Sequence, residues 1–249
     1  MKNELDIEYL GLVDYGAAWD LQKELVAARS DNPDLPQKLL LLEHPHTYTL
    51  GRHGGESNLI FDEETRNLWG ISLYHVDRGG DVTYHGPGQL VGYPILYLAR
   101  LYGRGIGRIR AYVSDLERAL IRTLAAFDLD ARPLEGFRGV WMERGGELLK
   151  IAAIGVYVNK FGISSHGFAL NVRPDLGYFS GIVPCGIADH GVTSMSEMLG
   201  RDVTIDEVLP PLLDSFSTVF DFNYNMNPSF LSASIIEGPN DVYKKEWKK

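Results

Sequence analysis

The spacing of hydrophobic residues along the chain predicts a protein that contains both helices and strands. Apolar residues recur every three to four positions over long segments, which is the period of a helix with one buried face. Asp14 stands before the first of these segments as a candidate N-cap. The pattern predicts long helices over residues 15–30, 109–127 and 205–220, and the local sequence favours shorter ones over residues 62–69 and 194–199.

Short apolar runs predict strands between these helices. In the run 38–42, four consecutive leucines follow Lys38, which is typical of a strand buried on both faces and indicates a central sheet. In the run 163–172, alternation places Ser165, Gly167, Ala169 and Asn171 on one face and His166, Phe168 and Leu170 on the other. Further strands are predicted over residues 5–13, 71–76, 90–98, 139–143 and 151–158.

Length and composition favour one α/β (α+β) domain. A chain of 249 residues with 45% hydrophobic content can bury a substantial core. We place the domain over residues 1–220, because the chain from Asp221 onward is richer in Asn, Ser and Pro. Residues 221–249 are expected to be an irregular extension of unknown role.

The charge balance and the single cysteine narrow the functional class. A net charge of -9 argues against a general nucleic-acid binder, which needs a basic face. One cysteine cannot form an internal disulfide. The N-terminus lacks the pattern of a signal peptide, and no apolar stretch reaches transmembrane length. These features predict a soluble cytoplasmic enzyme without a membrane partner.

The stretch RGGDVTYHGPGQLVGYP, residues 78–94, concentrates the candidate chemistry. Two glycines precede a β-prone run that ends in His85, and a Gly-Pro-Gly turn leads into a second β-prone run. The pattern predicts a hairpin with strands over residues 82–84 and 90–93. Alternation would point Thr83 and His85 to one side and Tyr84 to the other. Composition alone would also fit a surface hairpin with a buried histidine.

The order of these residues closely resembles the signature of the lipoyl(octanoyl) transferases, the octanoyl-[acyl carrier protein]:protein N-octanoyltransferases of lipoate biosynthesis. The matching positions are Arg78, Gly79, Gly80, Thr83, Tyr84, His85 and Gln89. The resemblance implies an acyl pocket with His44 nearby. Strong selection for eight carbons would require a closed end to such a pocket, for which Tyr84, Tyr93 and Phe168 are candidates. Its implied substrate contacts are Arg78, Gly79, Gly80, Asp81, Val82, Thr83, Tyr84, His85, Ala153, Ile154, Gly155, Gly167, Phe168 and Ala169.

Two later segments extend the resemblance to about residues 9–199. Without the resemblance, a lysine beside a turn, such as Lys150, is typical of a solvated strand end. A lone cysteine, such as Cys185, is typical of an unreactive buried side chain. The family's catalytic lysine nevertheless matches Lys150 in KIAAIG, and its acyl-carrying cysteine matches Cys185 in VPCGI. Agreement of three separate segments in order is more specific than any one of them.

The resemblance implies a reaction, its partners and a fold. The ammonium of Lys150 would favour the thiolate of Cys185, which would take an octanoyl group from octanoyl-acyl carrier protein. The acceptor would be a lysine of the lipoyl domains of 2-oxoacid dehydrogenase complexes or of the glycine cleavage H protein, and no cofactor is expected. The implied fold is like that of biotin and lipoate protein ligases, with a central mixed, largely antiparallel sheet flanked by helices.

Other interpretations remain open from the residues alone. An ATP-dependent lipoate or biotin ligase would share the fold, a non-catalytic module could retain it, and a cysteine hydrolase would need a distant His85 or His190. The glycine-rich loop near residue 105 lacks the ending of a P-loop. Its neighbours Arg104, Arg108 and Arg110 are a candidate docking site for an acidic carrier protein. The spacing of His44, His46 and His53 fits no familiar zinc pattern, so no metal is expected.

Overall fold

A computed structural model describes residues 3–103, 105, 107–183 and 191–226. Cys185, His190 and Arg104, all singled out above, lie outside these ranges, as does the chain from residue 227 onward.

The described chain contains six α-helices and twelve strands. The helices are α1 (Tyr15–Asp31), α2 (Glu63–Leu68), α3 (Leu98–Tyr102), α4 (Arg108–Ala125), α5 (Met195–Leu199) and α6 (Ile205–Phe220). The strands are β1 (Asn3–Leu12), β2 (Gln37–Glu43), β3 (Thr47–Leu50), β4 (Ser72–His75), β5 (Val82–His85), β6 (Gln89–Ile95), β7 (Arg132–Leu134), β8 (Phe137–Arg144), β9 (Glu147–Val158), β10 (Ser164–Asn171), β11 (Gly191–Val192) and β12 (Phe222–Met226).

A large mixed sheet forms the centre of the molecule. Its strand order over the described residues is β12-β1-β2-β6-β10-β9-β8-β7, with β11 paired to β9. The pairs of β1 with β12 and β2, and of β11 with β9, are parallel, and the other pairs are antiparallel. The predicted mixed, largely antiparallel sheet is therefore confirmed.

Helices cover both faces of this sheet. The apolar sides of α4 and α6 pack against one face, with Leu116, Leu120, Leu212 and Phe216 buried. Ala18 of α1 packs against the other face. Helix α6 begins at a capping box in which Thr204 and Glu207 satisfy each other's backbone N–H groups, so its start is encoded locally.

The predicted hairpin of the signature stretch is wrong. Strand β5 pairs with β3 in a separate sheet of order β4-β3-β5, whereas β6 lies in the large sheet. Because β6 pairs with β2 on one side and β10 on the other, it has no free edge for β5. The Gly-Pro-Gly turn therefore carries the chain from one sheet to the other. Its Gly88 has φ +84°, and a Cβ there would lie 2.5 Å from the carbonyl oxygen of Arg173.

Two further predicted elements differ from the structure. Residues 222–226, expected to be irregular, form β12 along the edge strand β1. The left-handed C-cap residue Asp221 (φ 54°) ends α6 and turns the chain onto that edge, where Phe222 stacks on Phe220. The strand predicted to reach residue 98 ends at Ile95, and α3 follows. The domain boundary at residue 220 stays a prediction.

No helix within the described ranges is long and apolar enough to cross a membrane.

Candidate functional site

A cavity of about 520 Å³ lies where the small sheet meets the large one. Strand β5 contributes one wall, and β6, β9 and β10 contribute the opposite wall. Helix α4 closes one side through Ile109 and Val113.

Residues from three stretches that are far apart in sequence meet in this cavity, namely residues 78–85, 153–155 and 167–169. Lys150 and Tyr93 also line it, so the structure brings together most of the candidate site residues that it describes. The candidates that line the cavity are Arg78, Gly79, Gly80, Asp81, Val82, Thr83, His85, Tyr93, Lys150, Ala153, Ile154, Gly155, Gly167, Phe168 and Ala169.

Tyr84 lies on the other face of β5, as the predicted alternation requires. Its ring is buried in the core of the small sheet, 5.3 Å from the ring of Tyr178, and its hydroxyl hydrogen bonds with Nδ1 of His46 at 2.9 Å. This orientation contradicts a direct contact of Tyr84 with an acyl chain. The residue instead fixes the strand that carries Thr83 and His85.

His44 lies behind the cavity wall rather than in it. Its Nδ1 donates to the carbonyl of Val13 (2.7 Å), and its Nε2 accepts from the hydroxyl of Tyr93 (2.7 Å). Only Tyr93 of this pair lines the cavity. Complete burial lowers the pKa of His44 to about 4, so the ring is neutral near pH 7. His44 was predicted to contact the substrate. The structure shows instead that it holds the hydroxyl of Tyr93, which lines the cavity.

The burial of His44 predicts a dependence of stability on pH. The unfolded histidine binds a proton below about pH 6.5, whereas the folded ring stays neutral until about pH 4. The free energy of unfolding should therefore fall as the pH drops between these values, by up to about 3 kcal/mol from this residue. Urea unfolding at pH 7 and pH 5 measures the change, and His44→Gln should reduce it. The exposed-histidine variant His75→Gln is the control, and an unchanged difference in His44→Gln would contradict the assignment.

Glycines allow the signature stretch to lie directly on β9. The backbone N–H of Gly79 donates to the carbonyl of Val156 at 2.9 Å. A Cβ on Gly155 would lie 3.0 Å from the carbonyl oxygen of Gly79 and 3.1 Å from Cδ of Arg78. A side chain at residue 155 would therefore push the two sheets apart.

Arg78 places a buried positive charge beside this crossing. Its guanidinium donates to the carbonyl oxygen and to the hydroxyl of Thr49, at 2.7 and 2.8 Å. Because Thr49 lies on β3, this contact fixes the arginine to the small sheet while its side chain lines the cavity.

Lys150 is a half-buried cavity residue of β9 rather than a solvated strand end. It pairs with Trp141 of β8, and its Nζ lies 4.6 Å from the centroid of the tryptophan ring. On the other side, Val192 of β11 is its partner, and the N–H of Thr193 donates to its carbonyl at 3.0 Å. Strand β11, which begins six residues after Cys185 in sequence, therefore lies directly beside Lys150.

His166 lines the cavity but was not among the predicted site residues. Its φ of +54° breaks the alternation of β10, so the prediction that it shares a face with Phe168 and Leu170 is wrong. The ring lies near Trp19 of α1, and Nε2 donates to Asp77 at 2.8 Å. Local sequence held no signal for this conformation, because residues other than glycine rarely adopt it.

Among the described side chains, no group of three or more His, Cys, Asp and Glu residues is arranged to hold a metal ion.

The fold and the cavity define a catalytic domain of the lipoyl protein ligase A/B family, whose sequence pattern matches residues 14–217. A protein of Bacteroides fragilis named octanoyltransferase is 46% identical over 202 residues, which cover 79% of this chain and 89% of the relative. A protein of the same name from Solibacter usitatus is 45% identical over 227 residues, 91% and 98% of the two chains. The chain therefore belongs to the octanoyltransferases, which are acyltransferases.

Solved structures agree on the fold. A bipartite lipoate protein ligase from Thermoplasma acidophilum superimposes with a TM-score of 0.67 at 20% identity, covering 91% of this chain and 87% of the other. A lipoate-protein ligase A bound with ATP gives a TM-score of 0.67 at 19% identity, with 91% and 89% covered. The predicted ligase-like fold is confirmed, and at these identities the likeness extends to the fold alone.

Proposed function

We propose that this protein transfers an octanoyl group from octanoyl-acyl carrier protein to a lysine of lipoyl domains, through a thioester on Cys185. The observation that carries the proposal is that Lys150 lines the same cavity as the signature residues of β5. The names of the relatives support the octanoyl group as the cargo. The lipoate ligase fold supports a lipoyl domain as the acceptor.

The first half of the reaction moves the acyl group onto the enzyme. A cysteine thiol has an ordinary pKa of about 8.5, and a neighbouring ammonium favours its thiolate. The thiolate of Cys185 forms a bond to the carbonyl carbon of the donor thioester. The bond from that carbon to the carrier's sulfur then breaks, and the departing thiolate takes up the proton of the Lys150 ammonium, which leaves the lysine neutral. One thioester replaces another, so no ATP is required.

The second half forms an amide. The neutral amine of the acceptor lysine attacks the carbonyl carbon of the acyl-enzyme, and the bond to the sulfur of Cys185 breaks. Lys150 takes up the proton that the nitrogen loses. An amide is more stable than a thioester, which drives the transfer.

The apolar part of the cavity lining suits the acyl chain. Ile109, Val113, Ile154 and Phe168 all line it. Each buried methylene contributes about 0.8 kcal/mol, so an open groove would separate neighbouring chain lengths by only a few-fold. Selection for eight carbons therefore needs a wall, for which we propose the buried ring of Phe168.

Shortening this wall should change the preferred chain length. In Phe168→Ala, the ratio of decanoyl to octanoyl transfer is expected to rise about tenfold, because space for two methylenes opens in the cavity. Competition assays with mixed acyl donors measure the ratio. Tyr84→Phe, on the other face of β5, is the control and should leave the ratio as in the wild type. An unchanged ratio in Phe168→Ala would show that Phe168 does not limit the length of the acyl chain.

Positively charged side chains beside the cavity would attract an acidic carrier protein that donates the octanoyl group. Arg108 and Lys160 line a second cavity of about 380 Å³, and Ile109, the neighbour of Arg108, lines the first. Arg110 is exposed one residue further along α4. In a chain of net charge -9, such a local positive surface can attract an acidic partner.

Reversing these charges should weaken donor binding. For Arg108→Glu combined with Arg110→Glu, we expect the KM for octanoyl-acyl carrier protein to rise about tenfold at low salt, with a smaller dependence on salt. Steady-state kinetics at several salt concentrations measure both effects. The control is Arg118→Glu with Arg122→Glu, two exposed arginines about 15 Å further along the same helix. Equal KM values for the two double variants would exclude the proposed docking surface.

Intact-protein mass spectrometry tests the proposed reaction. The protein is mixed with octanoyl-acyl carrier protein without ATP, and then with an apo lipoyl domain. We expect an octanoyl adduct on Cys185 that the lipoyl domain removes, and no adduct in Cys185→Ser. Modification of the lipoyl domain only when octanoate and ATP are supplied would identify a ligase instead. Release of free octanoate would identify a hydrolase, and no reaction would indicate a non-catalytic module.

A further inference from the structure

A chain of buried polar side chains joins the signature histidine to the strand beside Lys150. Nδ1 of His85 lies 2.8 Å from Oε1 of Gln89. Nε2 of Gln89 donates to Oδ1 of Asn171 at 2.9 Å, and Nδ2 of Asn171 donates to the carbonyl of Thr193 at 2.9 Å. His85, Gln89 and Asn171 are exposed by 6%, 1% and 4%, so water does not compete for these groups.

The carbonyl of Thr193, at the end of this chain of side chains, determines the direction of every hydrogen bond in it. The carbonyl of Thr193 can only accept, so the amide nitrogen of Asn171 must face it. The amide oxygen of Asn171 then faces Gln89 and needs a donor, which is Nε2. Nε2 of Gln89 also donates to the carbonyl of Tyr84 at 3.2 Å, which independently requires the same orientation. Oε1 of Gln89 is therefore turned to His85 as an acceptor.

This orientation determines the tautomer of His85. Because Oε1 of Gln89 accepts, Nδ1 of His85 must carry the hydrogen. Burial and the nearby positive charge of Arg78 lower the pKa of His85 well below its ordinary value, so the ring is neutral. A neutral ring with hydrogen on Nδ1 carries its lone pair on Nε2. His85 lines the cavity, where this lone pair is available to a ligand that can donate a hydrogen bond.

The same chain of side chains is tied to the proposed catalytic lysine. The N–H of Thr193 donates to the carbonyl of Lys150, so Asn171 holds the residue that follows β11 against the strand that carries the lysine. His85 and Lys150 are thus parts of one connected unit that lines one cavity. In the proposed reaction, the group with N–H donors that must enter this cavity in a defined orientation is the acceptor's amine.

We propose that Gln89 and Asn171 are positioning residues that hold His85 with hydrogen on Nδ1, so that Nε2 accepts a hydrogen bond from the attacking lysine amine. The inference rests on the proposed function for the identity of this amine. The hydrogen bond directs the nitrogen lone pair toward the thioester carbon. No bond is made or broken by His85, and the proton lost by the nitrogen goes to Lys150 as above.

Nitrogen-15 NMR of the full chain with labelled histidine tests the tautomer directly. Between pH 6 and pH 8, we expect a protonated Nδ1 and an unprotonated Nε2 for His85. Gln89→Met removes the acceptor and should shift His85 toward hydrogen on Nε2. Gln89→Glu supplies an acceptor again and should restore the hydrogen to Nδ1. The wild-type spectrum alone decides the tautomer if Gln89→Met does not fold, and hydrogen on Nε2 there would overturn the inference.

The two half-reactions separate positioning from general structural damage. In Gln89→Met, we expect transfer from preformed octanoyl-Cys185 to an apo lipoyl domain to slow about tenfold or more. Octanoylation of Cys185 by the carrier protein should stay within about twofold of the wild type. Gln89→Glu should recover part of the transfer rate. Gln37→Met replaces another buried glutamine, on β2, and should leave both rates as in the wild type.

The outcomes distinguish this inference from the proposed function. If the wild type forms no adduct at Cys185, the proposed function fails, and the role for the amine fails with it. If the wild type transfers octanoyl normally and Gln89→Met changes the tautomer without slowing transfer, only the positioning inference is overturned.

Discussion

Lys150→Met is expected to slow octanoylation of Cys185 by about 10²- to 10³-fold at pH 7, the range in which a charged acid–base residue contributes. Methionine is unbranched and of similar length, so it can retain the contact with the ring of Trp141 while removing the charge. Loss of the ammonium raises the pKa of the thiol, so less thiolate is present near neutral pH. The rate in the variant should therefore rise about tenfold per pH unit up to about pH 8.5. Rapid-quench mass spectrometry of the acyl-enzyme measures this profile.

Two further variants assign the roles of the lysine. Lys150→Arg keeps a positive charge that does not lose its proton. It should therefore support octanoylation of Cys185 but slow transfer to the acceptor amine, which needs a proton acceptor. The control is Lys23→Met, because Lys23 also lies over an aromatic ring, that of Trp19 at 3.8 Å, on α1. Octanoylation of Lys150→Met at the wild-type rate would exclude the proposed cysteine–lysine pair.

Local signals in the sequence predicted five of the six α-helices that the structure describes, all except α3. Helix α1 was expected from the spacing of its apolar residues and from Asp14, whose side chain accepts from the N–H of Ala17. The predicted bounds of α6 match the structure, because periodicity and the cap at Thr204 agree. The four consecutive leucines of β2 correctly indicated a strand inside the sheet. These features depend on neighbours in sequence, which is why periodicity and capping suffice.

Pairing across long distances could not be predicted in this way. Strands β5 and β6 are separated by a turn that would suit a hairpin, yet β6 pairs with β2 and β10. The sequence order of short strands does not show which edges are already occupied.

Prediction of the site from the sequence was limited in the same way, by contacts between residues that are far apart in the chain. The resemblance indicated the stretches that meet in the cavity. Which face of β5 lines it depends on the position of the large sheet, so Tyr84 could not be excluded beforehand. The hydrogen bond from Gln89 to Asn171 joins residues 82 positions apart, and no local pattern marks it.

Gly167→Ala is expected to cost about 3 kcal/mol of unfolding free energy, at the upper end of the range for overpacking in a core. Gly167 lies on β10, against β6. An added Cβ would collide with the carbonyl oxygen of Gly92 and lie 2.6 Å from Cδ of Pro94. Both strands are paired on each side, so neither can move without breaking its other pairing.

Thermal unfolding measures this cost, and a fall of about 6–12 °C in Tm corresponds to it for a chain of this size. Gly105→Ala is the control, because a Cβ there meets nothing within 4 Å, and it should leave Tm nearly unchanged. The result also decides what role Gly167 has. If Gly167→Ala unfolds at the wild-type temperature but transfers no octanoyl group, its role is contact with the acyl chain. If stability falls as expected, the glycine is required first for the close approach of β10 and β6, and the cavity between the sheets depends on that approach.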